Sequence, residues 1–253
     1  MAEALPRKVA LVTGGARGIG RGCALELARA GFGVALVDLL VPEMARTAGE
    51  IRALGQSALI FEADVALHGR AQEIAREVHQ KFGRIDFLLN DAGASQPKGI
   101  LEIAEAEFDR TIAINLKSCF NYIRAVAPFM LAQGGGRIAS MSSLNAYSGG
   151  VTAAVSKFAY AAAKAGILGM TRALAKELGP SILINAICPG VIETELTNSL
   201  TRSRGPEIAA TGIALRRMGK PDDIAQLVVF LATSEPCYIT GQDFVVDGFQ
   251  YHV

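Results

Sequence analysis

A tyrosine and a lysine four residues apart, Tyr160 and Lys164, could carry out acid–base chemistry. The alanine-rich segment Lys157–Leu178 around them predicts a helix, and residues four apart lie on the same helix face. A free tyrosine is a poor base near neutral pH. A nearby ammonium favours the phenolate and makes the tyrosine a more useful general acid and base. On its own, such a pair is usually an exposed surface pair.

A glycine-rich segment, Thr13–Gly20, could bind a phosphate group. Glycine has no Cβ, so the backbone can turn tightly and approach a ligand closely. The first amides of a following helix favour an anion such as pyrophosphate. Because the segment joins a predicted strand to a predicted helix, it indicates a dinucleotide site and not merely a strained loop. The residues expected to contact the cofactor here are Gly14, Arg17, Gly18, Ile19 and Gly20.

An acidic residue, Asp38, ends the second predicted strand, about 20 residues after the glycines. A carboxylate there can accept hydrogen bonds from adenosine ribose hydroxyls and would repel a 2′-phosphate. Arg17 favours NADP(H) instead, because its guanidinium could pair with that phosphate. Since Asp38 would face the 2′ position itself, we expect NAD(H) as the favoured cofactor, with NADP(H) as the alternative.

The elements that position these residues alternate along the chain. The predicted strands are Lys8–Thr13, Gly33–Asp38, Ser57–Glu62, Ile85–Asn90, Arg137–Ser142, Ser181–Ile187 and Asp243–Asp247. The predicted helices are Gly18–Ala30, Pro42–Ala53, Leu67–Phe82, Glu105–Gln133 with a candidate break near Pro128, Lys157–Leu178 and Pro221–Ser234. This alternation predicts an α/β fold with a doubly wound parallel sheet. Pro189–Met218 shows no clear element, and a segment of that length is often a lid.

Composition narrows the function. The 253 residues carry a formal net charge of +1, so nothing indicates nucleic acid or an anionic membrane as partner. The four cysteines and three histidines are scattered, which argues against a metal site. The N-terminal residues have no apolar core, and no apolar run approaches the roughly 18–20 residues of a membrane helix. We expect a soluble cytoplasmic protein.

Six motifs, taken together and in order, resemble the short-chain dehydrogenase/reductase family, in particular its 3-oxoacyl-carrier-protein reductase-like branch. They are Thr13–Gly20, Asn90-Asp91-Ala92-Gly93, Asn115, Ser143, Tyr160–Lys164 and Pro189-Gly190. The resemblance covers Lys8 to Gly248. It implies a single Rossmann-type domain over residues 1–253, with a seven-stranded parallel sheet, that interconverts a secondary alcohol and a ketone.

The resemblance also implies roles for individual residues. Asp64 and Val65 would lie along the adenine ring. Asn90, Ala92 and Gly93 would line the cofactor at the end of the fourth strand, and Pro189, Gly190, Ile192 and Thr194 would hold its nicotinamide end. Tyr160 would exchange the proton, Lys164 would bind the nicotinamide ribose, Ser143 would donate to the substrate oxygen, and Asn115 would hold a water that connects Lys164 to solvent.

Two departures from the family pattern stand out. Asp91 replaces the usual second asparagine, for which we expect a local change in hydrogen bonding. Ser143 lies seventeen positions before Tyr160, where the family usually has about a dozen. The segment between them therefore carries a short insertion, and Ser142 and Ser148 are alternatives to Ser143.

The substrate is expected between the segments Leu144–Ala159 and Val191–Met218, the second as a lid over about residues 191–218. The family's carrier-protein reductases tend to have basic residues just before the serine strand and at the end of the tyrosine helix. Here those places read Ala132–Gly136 and Glu177–Ser181, with Arg137 and Lys176 nearby. We therefore expect a small free substrate, namely a hydroxyacyl thioester, sugar, polyol or cyclic alcohol.

Other functions are compatible with the same residues. Reduction of a 3-oxoacyl carrier protein is the nearest one. A dinucleotide-binding sensor without turnover and a dehydratase or epimerase on the same fold are the others. The segments Glu105–Gln133 and Lys157–Leu178 are apolar on more than one face, which predicts burial against another subunit. The resemblance further implies a homotetramer.

Overall fold

Seven parallel strands form one sheet, as predicted. The structure, a computed structural model, describes residues 8–150, 156–195 and 199–250, and of residues 199–204 it describes the backbone alone. The strands are β1 Lys8–Thr13, β2 Phe32–Asp38, β3 Ala58–Glu62, β4 Phe87–Asn90, β5 Gly136–Met141, β6 Ile182–Pro189 and β7 Asp243–Val246. Their order is β3-β2-β1-β4-β5-β6-β7. The chain reverses its winding direction between β1 and β4, which opens a crevice at the carboxyl ends of these strands.

Helices cover both faces of the sheet. They are α1 Gly18–Arg29, α2 Val41–Ala53, α3 His68–Phe82, α4 Glu105–Ile112, α5 Ser118–Ala132, α6 Asn145–Ser148, α7 Phe158–Leu178, α8 Ser199–Gly212 and α9 Pro221–Thr233. The predicted elements are all present, with ends that differ by one or two residues in most cases. No helix in the described ranges is long and apolar enough to cross a membrane.

Two layers of buried side chains hold the helices against the sheet. Side chains alternate between the faces of a strand, so Val9 and Leu11 pack with α3, α5 and α7, whereas Ala10 and Val12 pack with α1, α2 and α9. Because both faces are covered, the central strands are apolar throughout and read as continuous hydrophobic runs in the sequence.

The predicted helix over Glu105–Gln133 is interrupted, but the suggested break near Pro128 is wrong. The interruption is a π-helical turn at Ala113–Lys117. There the side chain of Asn115 donates a hydrogen bond to the carbonyl of Thr111 and competes with the helical ladder. Pro128 lies inside α5. It is exposed together with Arg124, whose carbonyl loses its helical donor, so water can satisfy that carbonyl.

The segment Pro189–Met218 contains a helix that the sequence did not predict, α8. Gly205 and Pro206 lie near its middle, and both are poor helix formers. They obscure the helical pattern that would otherwise have marked the element.

The packing of α1 leads to a stability prediction. Leu27 is fully buried in the layer between α1 and α9, whereas Leu54, just after α2, is 40% exposed. Leu27→Ala is expected to lower the free energy of unfolding by about 2–5 kcal/mol, because it removes buried methyl groups and leaves a cavity. Leu54→Ala, the matched control, should cost less than about 1 kcal/mol. Urea denaturation measures both, and equal losses would contradict the described packing.

Candidate functional site

A cleft of about 950 Å³ opens at the carboxyl ends of the central strands. Most of the residues predicted from the sequence line it: Gly14, Arg17, Ile19, Asp38, Asp64, Val65, Ala92, Gly93, Ser143, Tyr160, Lys164, Pro189, Gly190, Ile192 and Thr194. Gly18, Gly20, Asn90 and Asn115 lie behind this lining. Residues distant in the chain thus meet in one cavity, although the roles predicted for them remain predictions.

The glycine-rich turn is packed too tightly for side chains at two positions. Gly14 has φ +72°, and a Cβ added to it would lie 2.8 Å from the main-chain nitrogen of Ala92. A Cβ on Gly20 would lie 2.7 Å from Oδ2 of Asp91. Thr13 closes the turn from behind, since its Oγ1 accepts hydrogen bonds from the amides of Asp91 (3.1 Å) and Ala92 (3.2 Å). The turn therefore presents bare backbone to the cleft, and this fits a pyrophosphate group.

Two carboxylates already contact the first turn of α1. The amide of Gly18 donates to Oε2 of Glu195 over 3.1 Å, and the amide of Gly20 donates to the carboxyl of Asp91. These are amides at the end of a helix that attracts anions. Sequence reasoning did not identify Glu195. Its position directly after Thr194 was the only available signal.

Asp38 lies at the edge of the cleft with its carboxylate held by backbone amides. Oδ1 accepts from the amides of Leu39 (2.8 Å) and Leu40 (3.2 Å), and Oδ2 accepts from the amide of Ala16 (3.2 Å). The carboxylate is thereby tied to the glycine-rich turn. Arg17 is exposed at the same rim. Asp38, which favours NAD(H), and Arg17, which favours NADP(H), therefore lie at the same end of the cleft.

Asp64 is engaged by a residue that sequence reasoning missed, Arg110. Oδ2 of Asp64 lies 2.8 Å from Nη1 of Arg110, and Oδ1 accepts from the amide of Ala66 over 3.0 Å. Burial alone would raise the pKa of Asp64, but these two contacts outweigh it and hold the pKa below its usual value. Val65 is buried beside it, and its carbonyl accepts from Nδ2 of Asn121 over 2.9 Å.

Asn90 and Asp91 differ in their surroundings. Nδ2 of Asn90 donates to Oγ of Ser140 over 3.1 Å, whereas its buried Oδ1 has no partner among the described residues. Asp91 retains some surface in the cleft. Burial of its carboxyl raises the pKa to about 7, against the opposing effects of Lys164 and the Gly20 amide. The carboxyl of Asp91 thus contacts the first turn of α1, and the change in hydrogen bonding expected from the missing asparagine remains a prediction.

Tyr160 and Lys164 lie on one face of α7, as predicted, with Nζ of Lys164 5.5 Å from the centre of the Tyr160 ring. Lys164 is only 4% exposed. Its Nζ donates to the carbonyl of Met141 at the end of β5 over 2.7 Å. This bond fixes the ammonium on the floor of the cleft, beside a partly exposed tyrosine.

Ser142, Ser143 and Ser148 are the three candidates for the serine that donates a hydrogen bond to the substrate oxygen. They differ in the hydrogen bonds that they make in the structure. Ser142 is buried and donates to the carbonyl of Lys164 over 2.7 Å. Ser148 donates to the carbonyl of Leu144 over 3.3 Å. Ser143 accepts from the amide of Asn145 over 3.2 Å, and no described residue accepts its hydroxyl proton. Ser143 therefore has a hydroxyl proton available for a ligand in the cleft.

Asn115 is fully buried and anchors the segment next to Gly93. Its Nδ2 donates to the carbonyls of Ala94 and Thr111, both over 3.0 Å, and its Oδ1 accepts from the amide of Ala94 over 3.1 Å. The side chain thus holds the wall of the cleft. The water that it was expected to share with Lys164 remains a prediction.

The two segments expected to surround a substrate both reach the cleft. From the first, the lining residues are Leu144, Asn145, Ser148 and Ser156, and from the second they are Val191, Ile192, Thr194, Ile208, Thr211 and Gly212. Residues 151–155 and 196–198 of these segments lie outside the described ranges. The amide of Gly190, just before the second segment, donates to the carbonyl of Val246 over 3.0 Å and ties this part of the chain to β7. Within the described ranges, no cluster of three potential metal ligands occurs.

Known proteins similar to this chain agree with this geometry. The family model described as enoyl-(acyl carrier protein) reductase matches residues 14–248. The 3-oxoacyl-[acyl-carrier-protein] reductase FabG of Thermotoga maritima is 37% identical over 96% of this chain and 98% of that protein. The oxidoreductase UcpA of Escherichia coli is 37% identical over 96% of this chain and 94% of that protein.

Among solved structures, a short-chain type dehydrogenase/reductase from Mycobacterium marinum superposes with a TM-score of 0.91. It is 31% identical, and the match covers 98% of this chain and 97% of that one. The fold, the motif order and these similarities agree. The chain therefore belongs to the short-chain dehydrogenase/reductase family and is an oxidoreductase that acts on CH–OH groups with a nicotinamide cofactor.

Proposed function

We propose that the protein is an NAD(H)-dependent enzyme that interconverts a secondary alcohol and a ketone on a small free substrate, with Tyr160 as proton donor and acceptor. The observation that carries the proposal is the pairing of Tyr160 with the buried ammonium of Lys164 in the cleft that also contains Gly14 and Asp38. Proton transfer and dinucleotide binding can thus occur in one cavity.

In this proposal, the bound dinucleotide supplies or accepts the hydride. Tyr160 gives its proton to the carbonyl oxygen during reduction and takes it back during oxidation. The ammonium of Lys164 stabilises the negative charge that develops on the phenol oxygen. Ser143 donates a hydrogen bond from its hydroxyl to the substrate oxygen, keeps its own proton, and stabilises the negative charge that develops on that oxygen.

The cofactor preference rests on Asp38. Its carboxylate is fixed by three backbone amides at the adenosine end of the cleft. A 2′-phosphate would meet this fixed negative charge, and the following residues, Leu39 and Leu40, are apolar and offer no cation. Arg17 is exposed and would pair with such a phosphate only at the rim. We therefore propose NAD(H) over NADP(H).

The proposed substrate class depends on whether the protein surface near β5 offers a free basic side chain to a carrier protein. Arg137 lies near the first of the two places where the family's carrier-protein reductases tend to have basic residues, and its side chain is only 12% exposed. It donates to the carbonyls of Leu231 (3.0 Å) and Ser234 (2.6 Å) and pairs with Glu235. A guanidinium with these partners is not available for docking. This favours a small free substrate.

Reduction of a 3-oxoacyl carrier protein remains the second candidate, favoured by the similarity to FabG. One 3-oxoacyl group presented as a coenzyme A thioester and as a carrier-protein thioester separates the two. Similar kcat/KM values for both would support the small free substrate. A strong preference for the carrier protein would establish the second candidate.

We extend the proposal to a cytoplasmic homotetramer. All four cysteines are unpaired, as is usual in a reducing compartment. Phe120 and Leu131 on α5 are 48% and 47% exposed, and a neighbouring subunit would cover such apolar side chains. Sedimentation equilibrium should give four times the chain mass, and a monomer would contradict the assembly.

Tyr160→Phe tests the proposed proton transfer. The variant keeps the ring and its packing but loses the hydroxyl, so kcat/KM for carbonyl reduction should fall by about 10²- to 10⁴-fold. The dissociation constant for NADH should change little. Absorbance assays with a carbonyl panel measure the first value, and titration measures the second. Undiminished turnover in the variant would contradict the mechanism.

The same assays on the wild-type protein separate the other functions. Binding of NADH without turnover would favour the dinucleotide-binding sensor, and turnover without net change in NADH would favour a dehydratase or epimerase.

Asp38→Asn tests the cofactor preference. Asparagine keeps an acceptor oxygen and removes the charge, so the ratio of kcat/KM for NADH to that for NADPH should fall about tenfold or more. Arg17→Gln is the matched comparison at the same rim, and it should lower kcat/KM for NADPH more than kcat/KM for NADH. A wild-type preference for NADPH that Arg17→Gln abolishes would show that Arg17, not Asp38, decides the cofactor.

A further inference from the structure

Asp91 is a half-buried acid that the proposed chemistry does not use. It follows β4, and its amide is held by Oγ1 of Thr13. Its carboxyl accepts a hydrogen bond from the amide of Gly20, in the first turn of α1. The residue also lines the cleft, next to Gly14 and Ile19. An acid in this position lies beside the amides that would receive the pyrophosphate.

The charges around Asp91 do not fully stabilise its ionised form. Lys164 on α7 lowers the pKa of the carboxyl, whereas Asp38 at the end of β2 raises it. On α1 the titratable neighbour is Cys23, whose own thiol pKa is raised by burial and by Asp91. Desolvation is the largest influence on Asp91, and it places the pKa near 7. Its carboxyl therefore changes charge in the physiological range.

A bound dinucleotide would change this balance. Its pyrophosphate is doubly negative and would sit at the same helix end. Like charges disfavour ionisation, so the bound cofactor would raise the pKa of Asp91 further. A neutral carboxyl can still accept from the Gly20 amide through one oxygen while the other carries the proton. Asparagine, the usual residue of the family at this position, cannot respond in this way.

We propose that Asp91 couples cofactor binding to the uptake of a proton, so that the protein binds the dinucleotide more tightly when Asp91 is neutral. The inference rests on the proposed function, because it needs the cofactor in the cleft. It makes Asp91 a residue that sets cofactor affinity according to pH, in addition to positioning the first turn of α1.

The sign of the effect follows from linkage. Well below the pKa of the free protein, Asp91 is protonated with and without cofactor, and affinity does not depend on pH. Above that pKa, Asp91 is ionised in the free protein and must take up a proton from solution when the cofactor binds, so the affinity for the cofactor falls as the pH rises. The affinity becomes constant again above the pKa of Asp91 in the complex. Its steepest slope is about tenfold per pH unit, the limit for one proton.

Titration calorimetry with NADH tests the coupling in the wild-type protein. Buffers of different ionisation enthalpy, compared near pH 7.5, should reveal uptake of a fraction of a proton. The dissociation constant for NADH should rise about three- to tenfold from pH 6 to pH 8.5. Binding without proton uptake and with a constant affinity would overturn the inference but leave the proposed function intact. The absence of NADH binding at every pH would overturn both.

Two variants assign the effect. Asp91→Asn should bind NADH with an affinity that varies less than twofold over the same range and without proton uptake. Glu195→Gln removes the other carboxylate at this helix end, which is exposed and therefore screened by solvent. It should keep the wild-type pH dependence. Persistence of the dependence in Asp91→Asn, or its loss in Glu195→Gln alone, would overturn the assignment to Asp91.

Discussion

The backbone of Gly14 lies directly against that of Ala92, and the cleft depends on this contact. β1 and β4 are neighbours in the sheet although they are distant in the chain, and the winding direction reverses between them. The hydroxyl of Thr13 holds the two strand ends together by accepting two amides from the β4 side. A side chain at position 14 would separate these ends. The glycine thus allows the first turn of α1 and the segment after β4 to face one cavity.

A second constraint joins the acid–base pair to this frame. Lys164 is a buried amine, and burial of a charge is costly without partners. Its Nζ donates to the carbonyl of Met141, and its own carbonyl accepts the hydroxyl of Ser142. These two bonds fix α7 against the end of β5. Tyr160, one turn earlier, is therefore placed at the cleft by the same contacts that stabilise its lysine. Chemistry and packing depend on one another here.

The sequence was most informative where local pattern and tertiary role coincide. The central strands, such as β1 with Val9 and Leu11, are apolar because helices cover both faces of the sheet, so their positions could be predicted closely. The π-helical turn could not, because it accompanies a side-chain bond of Asn115 to its own helix. α8 was missed because Gly205 and Pro206 obscure its pattern. Glu195 and Arg110 reach the site through long-range contacts, with Gly18 and Asp64, that no local spacing encodes. The motif residues were predicted through the family resemblance, and their chemical roles remain predictions.

The central claim is that this cleft binds a nicotinamide dinucleotide, with NAD(H) preferred. The most direct measurement is a titration of the purified protein with NADH and with NADPH, followed by the fluorescence of the reduced nicotinamide. We predict saturable binding of one NADH per chain and weaker binding of NADPH. Tighter binding of NADPH would contradict the role given to Asp38. The absence of binding for both would contradict the account of the cleft as a whole.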